Sequence, residues 1–154
     1  MPIKSFQAAR QKLIPKRRKS LLVRDYMTRD LITFSPQQSI LEVMSILIRN
    51  KISGGPVLDE MSRLVGIISE ADCIKHLSES KYFNQPFFDR KVAQSMTENP
   101  DTIEADKTIF DAATVFHKTN RRRLPVLEQD RLVGQISRQD VVKAALLLRS
   151  QRWR

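Results

Sequence analysis

Apolar residues recur at helical spacing at Ile40, Val43, Met44, Leu47 and Ile48, and short unbroken apolar runs flank that segment on both sides. Ahead of it, Leu31-Ile32-Thr33-Phe34 reads as a short strand that Ser35-Pro36 ends. Ser39-Ile40-Leu41-Glu42 then has the form of a capping box: the serine hydroxyl accepts from the amide three residues on, and Glu42 reaches back. Asn50, Ser53, Gly54 and Gly55 end the helix. Pro56-Val57-Leu58 and Leu64-Val65-Gly66-Ile67-Ile68 form a hairpin across Asp59–Arg63, and a second helix starts at Ser69 and runs through Ile74 and Leu77. The order is strand, helix, strand, strand, helix.

The same order returns about 69 residues later. Val23, Met27-Thr28, Thr33, Ile40 and Pro56-Val57-Leu58 reappear as Val92, Met96-Thr97, Thr102, Ile109 and Pro125-Val126-Leu127. After a one-residue deletion in the hairpin, Arg63-Leu64-Val65-Gly66, Ile68-Ser69 and Asp72 reappear as Arg131-Leu132-Val133-Gly134, Ile136-Ser137 and Asp140. The second capping box is Thr108-Ile109-Phe110-Asp111, its apolar face is Ile109, Ala112, Ala113, Val115 and Phe116, and the final helix extends through Ala144–Leu148. A unit of this size cannot cover its own apolar face, so the two copies are expected to pack together and leave a cleft between them.

Composition narrows the class. Charged residues make up 29% of the chain, and no apolar run approaches the length of a membrane span. The N-terminus has no apolar segment of signal-peptide type, and the single cysteine, Cys73, permits no internal disulfide, so a reducing, cytoplasmic setting is expected. The net charge of +10 sits at the ends. Residues 1–24 carry Lys4, Arg10, Lys12, Lys16, Arg17, Arg18, Lys19 and Arg24 without one acid, and Arg149, Arg152 and Arg154 close the chain, while the stretch between is nearly neutral. Such an arm either contacts a polyanion (nucleic acid or anionic membrane) or is a solvated tail. Between the copies, Tyr82, Phe83, Phe87 and Phe88 cluster around Pro86, as a cover for one end of the core or as a dimer contact.

Two β-α-β-β-α units, each with a Met-Thr start, a hydrophobic-Pro-Val-hydrophobic strand and a closing Gly-x-Ile-Ser-x-x-Asp, resemble a pair of CBS (cystathionine-β-synthase-type) domains across about Val23–Leu148. The resemblance implies an α/β (α+β) fold, in which tandem repeats pack through their sheets into one pseudo-twofold Bateman-type module. The expected divisions are a basic arm (1–22), repeat 1 (23–79), an aromatic connector (80–91), repeat 2 (92–148) and a basic tail (149–154). It also implies a homodimer and an adenosine ligand: AMP, ADP, ATP or S-adenosylmethionine.

Ser69 with Asp72, and Ser137 with Asp140, place a hydroxyl and a carboxylate at a helix N-terminus in each copy. A carboxylate there can accept from both vicinal hydroxyls of a ribose, and unpaired helix-start amides favour a nearby phosphate. The same spacing is also a near capping box that needs no ligand, and the two roles are compatible. Arg121-Arg122-Arg123 precedes the second Pro-Val strand, where the matching positions of Arg122 and Arg123 in the first copy are Ser53 and Gly54. In the family, bases just before this strand contact phosphate, which points to Arg122 and Arg123 and to one favoured nucleotide site. Carried over in the same way, the adenine slot would be lined by Thr33, Pro56 and Val57, with Thr102, Pro125 and Val126 opposite.

Catalysis is not expected. His76 and His117 lack metal-ligand spacing, Cys73 has no CxxC partner, and neither a Gly-rich phosphate loop nor a nucleophile elbow occurs. The expectation is a stand-alone, non-enzymatic regulatory protein that binds an adenosine nucleotide between its repeats and acts on a partner in trans. The competing expectation is a ligand-free dimerisation or scaffold domain whose basic N-terminal arm docks on nucleic acid, membrane or an acidic partner.

Overall fold

A computed structural model describes residues 19–83 and 90–152. The stretch 1–18, which holds most of the basic arm, lies outside the described residues, as do Phe87, Phe88 and Arg154. Repeat 1 contributes α1 (Ile40–Asn50), β1 (Gly54–Leu58), β2 (Leu64–Ser69) and α2 (Glu70–Phe83). Repeat 2 contributes α3 (Val92–Ser95), β3 (Thr97–Glu98), β4 (Ile103–Glu104), α4 (Ile109–Thr119), β5 (Arg123–Glu128), β6 (Arg131–Ser137) and α5 (Arg138–Arg152). Two three-stranded sheets result, ordered β1-β2-β3 and β4-β5-β6. Both hairpins are antiparallel, and both register shifts fall at the same place, Val57/Leu58 and Val126/Leu127.

The sequence repeat and the packing unit do not coincide. The start of each copy crosses to the other copy's sheet. β3 pairs with β2 through Thr97 and Ile67, and Thr28 bridges Gln135 of β6 in the matching position. Val23 is fully buried in the core built from Ile103, Leu124, Val126 and Ile136, whereas Val92 is fully buried with Phe34, Ile40, Val57 and Ile68. Backbone bonds fix the exchange, from Val23 N to Lys107 O at 2.8 Å and from Val92 N to Gln38 O at 2.9 Å. The crossing segments need glycine beneath them. A Cβ on Gly134 would stand 2.6 Å from Met27 Sδ and 2.8 Å from Thr28 O, and one on Gly66 2.7 Å from Met96 Sδ and 2.8 Å from Thr97 O.

Three local expectations change. The strand expected at Leu31–Phe34 shrinks to one parallel bridge between Phe34 and Val57. In repeat 2 the corresponding ladder continues because Ala105 N donates to Leu127 O at 2.9 Å, and the residue matching Ala105 in repeat 1 is Pro36, which has no N–H. Ile48 is 79% exposed, since the buried stripe of α1 is Ile40, Val43 and Leu47, and Ile48 lies beyond its edge. Ala113 is likewise exposed on α4. Ser39 Oγ does accept from Glu42 N at 3.1 Å, but the Glu42 carboxylate takes the Gln38 side-chain amide at 3.1 Å rather than reaching back.

The Thr108–Asp111 box is complete: Asp111 N donates to Thr108 Oγ1 at 3.1 Å and Thr108 N to Asp111 Oδ2 at 2.9 Å. The Thr108 amide, then its hydroxyl, holds the Asp111 carboxyl below the usual carboxylate range. Because the folded value is depressed, this contribution is present above the ordinary carboxylate range and is lost as pH falls through the folded value. Thr108→Ala is expected to cost about 1 kcal/mol, read as a melting temperature roughly 3 °C lower in calorimetry. Asp111→Asn is expected to be less stable than the parent at neutral pH, with the difference closing in acid.

Candidate functional site

Two clefts flank the ends of β1 and β5. The strand order within each hairpin places the start of its first strand beside the end of its second, so Ser53-Gly54 adjoins Ser69 and Arg123 adjoins Ser137. The pseudo-twofold then brings these two ends together, and Arg123 Nη2 donates to Ser53 Oγ at 2.6 Å. The first cleft, about 470 Å³, unites Ser69, Glu70 and Asp72 of repeat 1 with Arg121, Arg122 and Arg123 of repeat 2. Ile67, Ala71, Ile74 and Pro100 supply its apolar wall, and Thr97 and Asp101 close its rim. The second cleft, about 540 Å³, holds Ser137, Arg138, Gln139 and Asp140 with Thr28, Gln135 and again Arg122 and Arg123.

Both Ser-x-x-Asp pairs act as caps. Ser69 N and Oγ donate to Asp72 Oδ2 at 2.9 and 3.0 Å, and Ser137 N donates to Asp140 Oδ2 at 2.8 Å. The helix-start amides are largely taken, contrary to expectation. Glu70 N donates to Ser53 O at 2.8 Å and Arg138 N to Arg122 O at 3.1 Å, because the neighbouring strand delivers a carbonyl to each helix start. Asp72 N and Asp140 N turn to the Ser69 and Ser137 hydroxyls at 3.4 and 3.1 Å. An anion entering either cleft would therefore meet side chains before free helix-start amides. The Arg122 side chain is exposed and its guanidinium has no hydrogen-bond or ion-pair partner among the described residues, whereas Arg121 Nε is held by Asp101 Oδ2 at 3.0 Å. Arg24, one of the cations of the arm, pairs with Glu128 at 3.2 Å.

The residues carried over for an adenine slot lie elsewhere. Pro56, Val57, Pro125 and Val126 are buried inside β1 and β5, Thr33 is exposed, and Thr102 lines a separate cavity of about 370 Å³ beside Glu104 and Lys107. None of them lines either cleft. Ile67, Pro100 and Asp101 escaped the sequence reading. Ile67 carried a signal, since it is an apolar residue where the repeat has Gln135. Burial, and then the neighbouring Asp72 charge, push the Cys73 thiol up, which leaves it protonated and inert. Among the described residues no group of His, Cys, Asp and Glu could hold a metal ion, and no helix is long and apolar enough to cross a membrane.

Comparison with known proteins agrees with this architecture. The CBS domain family matches residues 23–79 and 90–147. The chain is 33% identical over 153 residues to the CBS domain-containing protein CBSX1, chloroplastic, of Arabidopsis thaliana, a match that covers 82% of this chain and 65% of that protein. It is 28% identical to the uncharacterized protein MJ1426 of Methanocaldococcus jannaschii, covering 82% of this chain and 92% of that one. CBSX2, solved in complex with AMP, superposes with a TM-score of 0.74 at 30% identity, covering 84% of this chain and 99% of that one. The CBS domain pair of protein MJ0100, solved with 5'-methylthioadenosine and S-adenosyl-L-methionine, gives 0.69 at 30% identity, covering 80% and 94%. With two matched copies, two sheets and two clefts between them, this chain belongs to the CBS domain family.

Proposed function

We propose that the chain is a non-enzymatic regulatory CBS pair that binds an adenosine nucleotide in its first cleft, and that occupancy of the cleft is read by a partner protein. One observation carries this reading: a single cavity combines a hydroxyl-carboxylate pair from one repeat, guanidiniums from the other and an apolar wall. A pocket of a few hundred Å³ that is mostly apolar with a few convergent polar groups suits a small organic ligand. Asp72 and Ser69 take the ribose, Arg122 and Arg123 the phosphate, and Ile67, Ile74 and Pro100 the base, with Pro56 and Val57 behind them setting the position of β1. AMP in CBSX2 and S-adenosyl-L-methionine in MJ0100 support the adenosine class. Between those two, the arginine pair favours a phosphate over a cationic sulfonium.

Isothermal titration of the full chain with adenosine, AMP, ADP, ATP and S-adenosylmethionine tests the reading. AMP is expected to bind more tightly than adenosine. Asp72→Asn is expected to weaken both, since losing charged hydrogen bonds costs roughly ten- to a hundredfold. No heat with any nucleoside would leave the ligand-free scaffold as the surviving function.

We also read the chain as a homodimer. Exposed Leu77 on α2 and Val142, Leu146 and Leu147 on α5 support self-association. Sedimentation equilibrium should give twice the chain mass, and a monomer at all concentrations would overturn this.

A further inference from the structure

The two clefts differ in their charge balance. In the first, Arg121, Arg122 and Arg123 face the carboxylates of Glu70, Asp72 and Asp101. In the second, Arg122, Arg123 and Arg138 face Asp140 alone. The walls differ as well. Where the first cleft presents Ile67, Ala71 and Ile74, the second has Gln135 and Gln139 and no aliphatic side chain apart from the Thr28 methyl. A nucleoside entering the second cleft would find no apolar surface for its base, while a compact anion would find a concentration of guanidiniums. Arg138, which also lines this cleft, is restrained by its own repeat. Its Nε donates to Arg121 O at 2.6 Å and its Nη2 to Asn120 Oδ1 at 3.1 Å, so little side-chain freedom remains to be lost on binding.

We propose that the second cleft binds a small inorganic polyanion of the pyrophosphate class, and that this anion competes for Arg122 and Arg123 with the nucleotide phosphate of the first cleft. The competition half of the proposal rests on the nucleotide reading above. The binding half does not. The geometry behind it is the shared lining: Arg122 and Arg123 border both clefts, and each guanidinium can turn fully toward only one anion at a time. A nucleotide deprived of these two partners keeps its ribose and base contacts. The antagonism is therefore partial and saturable, and it vanishes for a nucleoside without phosphate. Linkage makes it reciprocal.

The test is isothermal titration of the full chain at constant ionic strength in magnesium-free buffer, with inorganic pyrophosphate, adenosine and AMP. One pyrophosphate per chain is expected. Gln139→Glu, an exposed change that lines the second cleft only, should weaken pyrophosphate at least about tenfold and leave AMP in pyrophosphate-free buffer unchanged. Saturating pyrophosphate should raise the AMP Kd to a plateau roughly a hundredfold higher, the loss expected when both arginines are withdrawn and within the usual range of coupling between sites. The adenosine Kd should stay where it was. Pyrophosphate binding that ignores Gln139→Glu would overturn the site. An adenosine Kd that rises with that of AMP would place the anion in the first cleft and overturn the competition. Should no nucleoside bind, the nucleotide reading falls, and the Gln139→Glu comparison still decides the anion site by itself.

Discussion

Changing Arg122 and Arg123 together to Ala is expected to weaken AMP binding by roughly a hundredfold, from two charged contacts at about 1.5 kcal/mol each, while adenosine stays within about threefold. The selectivity follows from position. Both arginines line the first cleft from the repeat opposite Ser69 and Asp72, so in the proposed binding mode they meet what extends from the sugar and not the sugar itself. Arg123 also donates to Ser53 Oγ, which orients its guanidinium before any ligand arrives, whereas Arg122 has no such support. Of the single variants, Arg123→Ala should therefore be the costlier. Lys at either position should recover only part of the loss, because an ammonium cannot match two phosphate oxygens in one plane. Titration with AMP and adenosine reads the result directly. Equal losses for both ligands would mean that the arginines hold the fold of the cleft rather than a phosphate.

The second large effect concerns the crossed leaders. Val23→Asp is expected to destabilise the protein by at least about 4 kcal/mol, because it buries an unpaired charge. The damage should appear in repeat 2. Val23 packs on Ile103, Leu124, Val126 and Ile136, so amide exchange should accelerate in β5 and β6 before β1 and β2. Val92→Asp should do the reverse, since Val92 packs on Phe34, Ile40, Val57 and Ile68. Hydrogen exchange with mass spectrometry resolves the two hairpins. If each substitution loosened its own repeat instead, the crossed packing would be wrong.

Much of the fold was legible because it depends on local pattern. The α1 and α4 helices, the serine and threonine caps and both hairpins were each visible in residues close together in sequence and formed. Glu42, however, did not close its box, and Ile48 and Ala113 fell outside the buried stripes. The family resemblance rested on the Pro-Val and Gly-x-Ile-Ser-x-x-Asp signatures and matched the same stretches. Legibility failed where a residue's partner lies in the other repeat. Nothing near Val23 in sequence says that its side chain belongs to the core of residues 103–136. The missing strand at Leu31–Phe34 was half legible: Pro36 was visible, but that its position required an N–H emerged only from Ala105 and Leu127.

The candidate site divides along the same line. Sequence alone determined the chemistry at hand: two Ser-x-x-Asp pairs, one arginine triplet, and an asymmetry between Ser53-Gly54 and Arg122-Arg123. Only the tertiary structure decided that the arginines of repeat 2 stand over the Ser69–Asp72 pair of repeat 1, that the same two arginines border the second cleft, and that Val57 and Val126 lie behind the clefts rather than in them. The reason is physical. Propensity, capping and strand alternation act over a few residues, whereas a cleft is made by surfaces from two units whose relative placement is fixed by crossed leaders and buried methyl groups far apart in the chain.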